Sequence, residues 1–188
     1  MLKSALDVEK IKGVDLLLLT HEHADHFEPE SVKRIIERTN ATVVAPAPCL
    51  EKLDINPRLK VEAKTGQEFA ARGVKLKVTK AVHPQSLYPV GYVITMGAFS
   101  VYHAGDTYSY TGIEANKATV ALLPIGGVYT MDDNDAANAC KLLKPKYVIP
   151  MHYGTFEELE QEAGEFVRFL GEGTKAIVLK PGQAVNIQ

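Results

Sequence analysis

No apolar run in the sequence reaches the length of a membrane span; VDLLLLT at 14–20 is far too short to cross a bilayer and reads as a buried strand. The opening MLKSALDVEK has no apolar stretch of the kind a secretory leader carries. Charge of either sign is also missing in excess. Lysine plus arginine number 21 against 23 acidic residues, a net charge of −2 with the signs interspersed, so no basic face is offered to nucleic acid or an anionic membrane. Cysteine is scarce: Cys49 and Cys140 stand far apart with no CxxC, which excludes a disulfide framework and fits two buried thiols in a reduced cytoplasm. Internal repeats, low-complexity tracts and Pro/Gly-rich linkers are absent. What remains, 188 residues with 46% hydrophobic and 23% charged, suits one globular domain over 1–188 with a substantial core, located in the cytoplasm.

Strand-like runs dominate. They lie at 14–20, 41–47, 73–82, 90–97, 98–105, 118–126, 147–151, 176–180 and 183–187. VKLKVTKAV alternates cleanly, as in a sheet with one buried face, whereas ATVALLPI and VDLLLLT are continuous, as in strands covered on both faces. VGYVITMG and AFSVYHAG read as a hairpin turning near Gly97. Helical spacing occurs at 29–38, with Pro29 in the first turn, at 133–143, and at roughly 156–170, where Thr155 and Glu158 resemble a capping box. Many strands with helices to either side predict an α/β sandwich rather than a β-barrel.

THEHADHF places three of the chain's six histidines and an aspartate within six positions. An H-x-H-x-D-H by chance is rare, roughly a few in ten thousand for such a composition. All six histidines, His21, His23, His26, His83, His103 and His152, fall at or just after the ends of predicted strands, where layered α/β proteins gather ligand sites. The chemistry accounts for the spacing. His21 and His23, two apart in extended chain, project to one side and can grip one divalent ion; Asp25 and His26 follow at the turn into a helix and can grip a second. Each ion needs one more histidine, and the pair needs a shared carboxylate. KAVHP, HAGDT and PMHYGTF supply His83, Asp106 and His152. Seven ligands for two ions leave room for a bridging water, an open and catalytic arrangement.

THEHADH, an isolated His83, HAGDT and MHYGTF resemble, in order, the metal motifs of the metallo-β-lactamase superfamily, from about residue 14 to the end. YHAGDT, LLPIGGVYTM and PMHYGTF are most similar to the small metal-dependent hydrolases related to L-ascorbate-6-phosphate lactonase. The resemblance implies a four-layer αββα sandwich with the metals at one edge of two sheets. It assigns His21, His23 and His83 to one ion, Asp25, His26 and His152 to the other, and Asp106 to the bridge. Family members usually open with several strands before the HxHxDH segment, and here only Met1 to Gly13 precede it. The first sheet is therefore expected to lack its opening strands: either the chain start is truncated or misassigned, or another element such as a second subunit covers the bare edge, an exposed edge favouring self-association into a homo-oligomer.

The implied reaction is hydrolysis of a small ester, lactone or phosphoester by a metal-bridging hydroxide, with Asp25 and His26 as the catalytic residues and Asp25 orienting the nucleophile. Two divalent ions are the expected cofactors, zinc first, with manganese, iron or nickel compatible with the same ligands. The partner is a small-molecule substrate; neither nucleic acid nor membrane is expected. The competing readings are a metal-dependent nuclease, an iron-containing redox or sulfur-handling relative, and an inactive metal-binding domain. The plain alternatives for the residues are a polar helix-capping loop for 21–26, turn residues for His83 and Asp106, and a neutral core histidine for His152. His103 is a candidate for holding a ligand in place, and Tyr129, Thr130, Tyr153 and Thr155 are candidates for substrate contact. Glu22, between two ligands, is expected to point away.

Overall fold

The computed structural model describes residues 6–154 and 163–187. Two β-sheets lie face to face with helices on both outer surfaces. The first sheet is parallel, in the order β1 (Leu16–Leu18), β2 (Thr42–Ala45), β3 (Lys60–Glu62). The second has seven strands, in the order β10-β9-β8-β7-β6-β5-β4: β4 (Glu68–Ala71), β5 (Val74–Lys80), β6 (Val90–Met96), β7 (Phe99–His103), β8 (Val120–Pro124), β9 (Tyr147–Met151) and β10 (Lys175–Ala176). Strands β4 to β7 run antiparallel to their neighbours, and β7 to β10 are parallel.

Three buried clusters mark the three interfaces of a four-layer sandwich. Helix α1 (Pro29–Thr39) brings Val32 and Ile36, and α2 (Ala47–Glu51) brings Cys49, onto Val43 and Ala45 of β2. Val44, between those two residues in a period-2 strand, faces the other way and packs with Leu76, Val78, Val90 and Tyr92 between the sheets. On the far side Val93, Tyr102, Ala121, Leu123 and Val148 meet Ala136, Cys140 and Leu143 of α3 (Asp133–Leu143) and Phe166 of α4 (Ala163–Phe169). The αββα architecture implied by the sequence is the one observed.

Local chemistry sets the element ends. The Glu28 carboxylate accepts from the Glu30 and Ser31 N–H groups, with Pro29 at the first helical position, and Asn40 closes α1 in the left-handed region at φ 55°. The β6–β7 hairpin turns at Gly97, φ 59°, as expected. Other expectations need correction. No strand forms over 183–187, where the backbone has no partner strand, and β10 covers only Lys175–Ala176 rather than 176–180. Strands β3 and β4 and helix α2, absent from the sequence reading, are each five residues or fewer. The helix read at 156–170 is seen from Ala163 on; its start and the Thr155 cap lie outside the described residues. Among the described residues β1 is an outer strand of its sheet, and no helix is long and apolar enough to cross a membrane.

Candidate metal centre

Strands β5, β7, β8 and β9 point the same way, so the loops at their carboxyl ends share one edge of the seven-stranded sheet, and the segment after β1 meets them there. Leu19 to His26 leaves β1, His83 follows β5, Asp106 follows β7, and His152 directly follows β9. The result is a continuous cluster of histidines and carboxylates. His21, His23 and His83 form one group whose ligand atoms all lie within 4.8 Å of one another; Asp25, His26 and His152 form another; His21, His26 and Asp106 link the two. Asp106 is the hinge of this arrangement. Its Oδ2 is 3.1 Å from His152 Nε2, 3.3 Å from His26 Nε2 and 3.9 Å from His21 Nε2. Asp25 Oδ2 lies 3.3 Å from His26 Nε2 and 3.8 Å from His152 Nε2.

The backbone is shaped for this. Gly105 has φ 65°, and a Cβ there would stand 2.8 Å from the Val90 carbonyl, so the turn into Asp106 requires glycine. His152 has φ 57°, an uncommon conformation for a residue with a side chain, held at the end of a buried strand.

Each histidine of the first group has its second nitrogen fixed. His21 Nδ1 meets Thr20 Oγ1 at 3.0 Å, His23 Nε2 meets the Gln85 carbonyl at 3.1 Å, and His83 Nδ1 meets the Tyr129 carbonyl at 3.1 Å. A carbonyl only accepts, so the last two bonds place the protons of the neutral rings on His23 Nε2 and His83 Nδ1. The remaining nitrogens, His23 Nδ1 and His83 Nε2, then face each other as lone pairs 3.2 Å apart. Two facing lone pairs at that distance repel unless a cation lies between them. The separation is close to the roughly 3.3 Å spacing of two nitrogens bound to one tetrahedral zinc at about 2.0–2.1 Å each. His21 Nε2, His26 Nε2, Asp106 Oδ1 and His152 Nδ1 are buried without a hydrogen-bond partner. Unpaired buried polar atoms are costly, and a divalent cation held among His21, His26 and Asp106 would relieve that cost for the two imidazole nitrogens His21 Nε2 and His26 Nε2. The residues fit two such ions.

The electrostatics agree. Burial pushes the His21 imidazole down to about 3, and its neighbours His26, His23 and His83 push the same way against Asp106. Burial also lowers His83, so both rings are neutral and able to ligate at ordinary pH. For Asp106 burial acts upward, but the His152 and His26 rings beside it outweigh burial and hold the carboxyl well below the usual range. His152 is raised: burial lowers it, and its contact with Asp106 overcomes that.

The seven residues expected as ligands are thus brought together. Of the other candidates, His103 stays outside the ligand groups; its Nδ1 accepts the Gly105 N–H at 3.2 Å, bracing the turn that carries Asp106. Tyr129 contributes its carbonyl to His83 while its side chain is exposed. Two further candidates for substrate contact have partners of their own within the chain. The Thr130 hydroxyl is buried and donates to the Met131 carbonyl, and Tyr153 packs on the α3–α4 core. Thr155 lies outside the described residues. Thr20, Gln85 and the Tyr129 backbone were missed; only the β-branched hydroxyl directly before His21 could have hinted at one of them.

A family model described as "Beta-lactamase superfamily domain" matches residues 3–152. The chain is 38% identical to a UPF0173 metal-dependent hydrolase of Korarchaeum cryptofilum over 193 residues, covering 98% of this chain and 86% of that one. It is 36% identical to a UPF0173 metal-dependent hydrolase of Pyrococcus furiosus, covering 95% and 84%. Among solved structures, Igni18, a metallo hydrolase from Ignicoccus hospitalis, superposes with a TM-score of 0.79 at 31% identity, over 96% of this chain and 82% of that one. The metallo-beta-lactamase fold protein YhfI of Bacillus subtilis shares the fold at a TM-score of 0.71 and 15% identity, over 90% and 77%.

Proposed function

The chain belongs to the beta-lactamase superfamily, and from that premise we propose that it is a hydrolase that cleaves a small ester, lactone or phosphoester with two divalent ions side by side. The observation that carries the reading is the pair of ligand groups joined through Asp106, with the buried His21 Nε2 and His26 Nε2 left without a hydrogen-bond partner where the groups meet. His21 Nε2, His23 Nδ1 and His83 Nε2 would hold one ion, and Asp25, His26 and His152 the other, with Asp106 between. Ions so held supply a water of lowered pKa and a Lewis acid for the oxygen of the bond under attack.

The chain's own groups do the rest. With its five imidazoles ligating in their neutral form, the donor set of five histidines and two carboxylates would carry a charge of −2, less than the charge of two divalent ions, so the loaded site would stay positive toward an oxyanion. Asp25 is the more exposed of the two carboxylates and can orient the attacking water and take its proton. His26 Nε2, 3.3 Å from both carboxylates, keeps the two acids in register. Substrate size and character find support outside the cluster. A net charge of −2 gives no basic tract for a polyanion, and exposed Leu87, Val128 and Tyr129 lie on the two loops that hold His83, an apolar surface for the organic part of a small molecule.

The test is elemental analysis of protein purified without chelator, beside Asp106→Ala, followed by a screen of lactones and phosphoesters. Close to two zinc or manganese ions per chain, falling sharply in the variant along with hydrolysis, is the expected outcome. One iron per chain, or metal and hydrolysis untouched in Asp106→Ala, would overturn it.

A further inference from the structure

Between the two histidines of the HxH pair stands Glu22, whose side chain takes no part in the ligand groups. Its carboxylate is not simply in solvent. Oε2 accepts from Ser86 Oγ at 2.9 Å and Oε1 accepts from the Leu87 N–H at 2.7 Å, two hydrogen bonds to residues more than sixty positions away. Both partners sit on the loop 81–89, which joins β5 to β6 and carries His83.

That loop is anchored at its ends by the fold. The Val82 N–H donates to Thr107 Oγ1 and the Tyr108 N–H donates to the Val82 carbonyl, both at 2.8 Å, while the Val90 N–H donates to the Thr20 carbonyl at 2.9 Å. Its apex is another matter. Pro84, Gln85, Leu87 and Tyr88 are exposed, Leu87 to 79%, so apolar burial does not set the course of the chain there. What does is a small set of polar ties: the turn from the Ser86 N–H to the His83 carbonyl at 3.0 Å, the Thr65 N–H to the Tyr88 hydroxyl at 3.3 Å, and the two bonds to Glu22. The bonds to a carboxylate are the stronger kind.

One more bond gives this clamp a consequence. The Gln85 carbonyl, one residue before Ser86, is the group that holds His23 Nε2–H and so leaves His23 Nδ1 facing His83 Nε2. We propose that Glu22 is a positioning residue: by fixing Ser86 and Leu87 it places the Gln85 carbonyl against His23 and the His83 ring against its partner, and so sets the geometry of the first ion site. The inference rests on the two-metal reading above and concerns one half of it. Alternation in an extended segment makes the arrangement possible, since residues 21 and 23 point into the site and residue 22 points at the loop that must be held.

The experiment uses zinc-binding constants of the full chain, from competition with a chromophoric chelator, for wild type, Glu22→Ala, Glu22→Gln, Ser86→Ala and His23→Ala. Wild type binding fewer than two ions would sink the two-metal reading itself. With two bound, Glu22→Ala is expected to weaken one site about tenfold and leave the other unchanged, a loss typical of groups that orient a metal ligand. Glu22→Gln, which keeps an acceptor for Leu87 N–H and offers a donor to Ser86 Oγ, is expected to restore affinity to within about threefold; Ser86→Ala falls between. Glu22→Ala added to His23→Ala is expected to cost less than Glu22→Ala alone, because one of the two rings it places is gone. In the metal-free protein, amide exchange at Leu87 is expected to quicken in Glu22→Ala and not in Glu22→Gln. Unchanged affinity in Glu22→Ala, equal loss at both sites, or Glu22→Gln failing as badly as alanine would each overturn the proposal. Should Glu22→Ala not fold, Ser86→Ala and Glu22→Gln decide the matter by the same constants.

Discussion

At the scale of single residues, the site depends on positions that are chemically silent as much as on its ligands. Gly105 brings no functional group, yet any side chain there would need the left-handed region and would strike the Val90 carbonyl at 2.8 Å. Gly105→Ala is therefore expected to lower stability by about 1–3 kcal/mol, read by urea unfolding, and to lower metal content with it, because Asp106 follows directly. An unchanged midpoint would mean that the turn relaxes without strain. The candidate ligands at 21–26 were legible in the sequence because histidines and a carboxylate at such short spacing suit a metal ion, and the order of the later motifs pointed to His83, Asp106 and His152. Their supports were not. Glu22, Gln85 and Tyr129 act through bonds that span 46 to 65 residues, two of the four using a backbone carbonyl that any residue could supply.

At the scale of elements, legibility followed length and burial. Strands β5 to β9 stand out because each is an apolar or alternating run of at least five residues, and α1 and α3 because of their helical spacing, with Pro29 opening α1. Strands β3 and β4 are three and four residues with mostly half-exposed side chains, so their existence depends on neighbours already in place rather than on local pattern. The 183–187 run alternates plausibly but finds no strand to pair with, a tertiary fact invisible to periodicity. Between the sheets one polar contact is exceptional. The buried Tyr92 hydroxyl of β6 donates to the Leu19 carbonyl at 2.6 Å and lies 3.3 Å from the Val44 carbonyl, tying the second sheet to the end of β1. Tyr92→Phe leaves that carbonyl without its donor in a dry interface and is expected to cost about 1–2 kcal/mol in urea unfolding. A neutral result would show that this bond adds nothing to the packing between the sheets.

At the scale of the whole molecule, the candidate metal centre is also a joint. His21, His23, Asp25 and His26 leave the three-stranded sheet, whereas His83, Asp106 and His152 leave the seven-stranded one, so ions held by all seven would bind the folded chain and not the unfolded one. Ligands of that kind stabilise by mass action, and chelation is expected to lower the unfolding midpoint of the entire protein rather than loosen one loop. The metal-free chain should then show an acid sensitivity of its own. His21 is pushed down to about 3 in the folded state by burial, against about 6.5 when unfolded, so the unfolded chain binds a proton first as pH falls. Its contribution is full above about pH 6.5 and lost progressively as pH falls towards 3. Replacing His21 by Asn removes the group that titrates, and urea midpoints of the metal-free proteins between pH 7 and pH 4 should fall less steeply in His21→Asn than in wild type. Equal slopes would mean that His21 is solvated once the metals leave, and that the two sheets part at this edge without their ions.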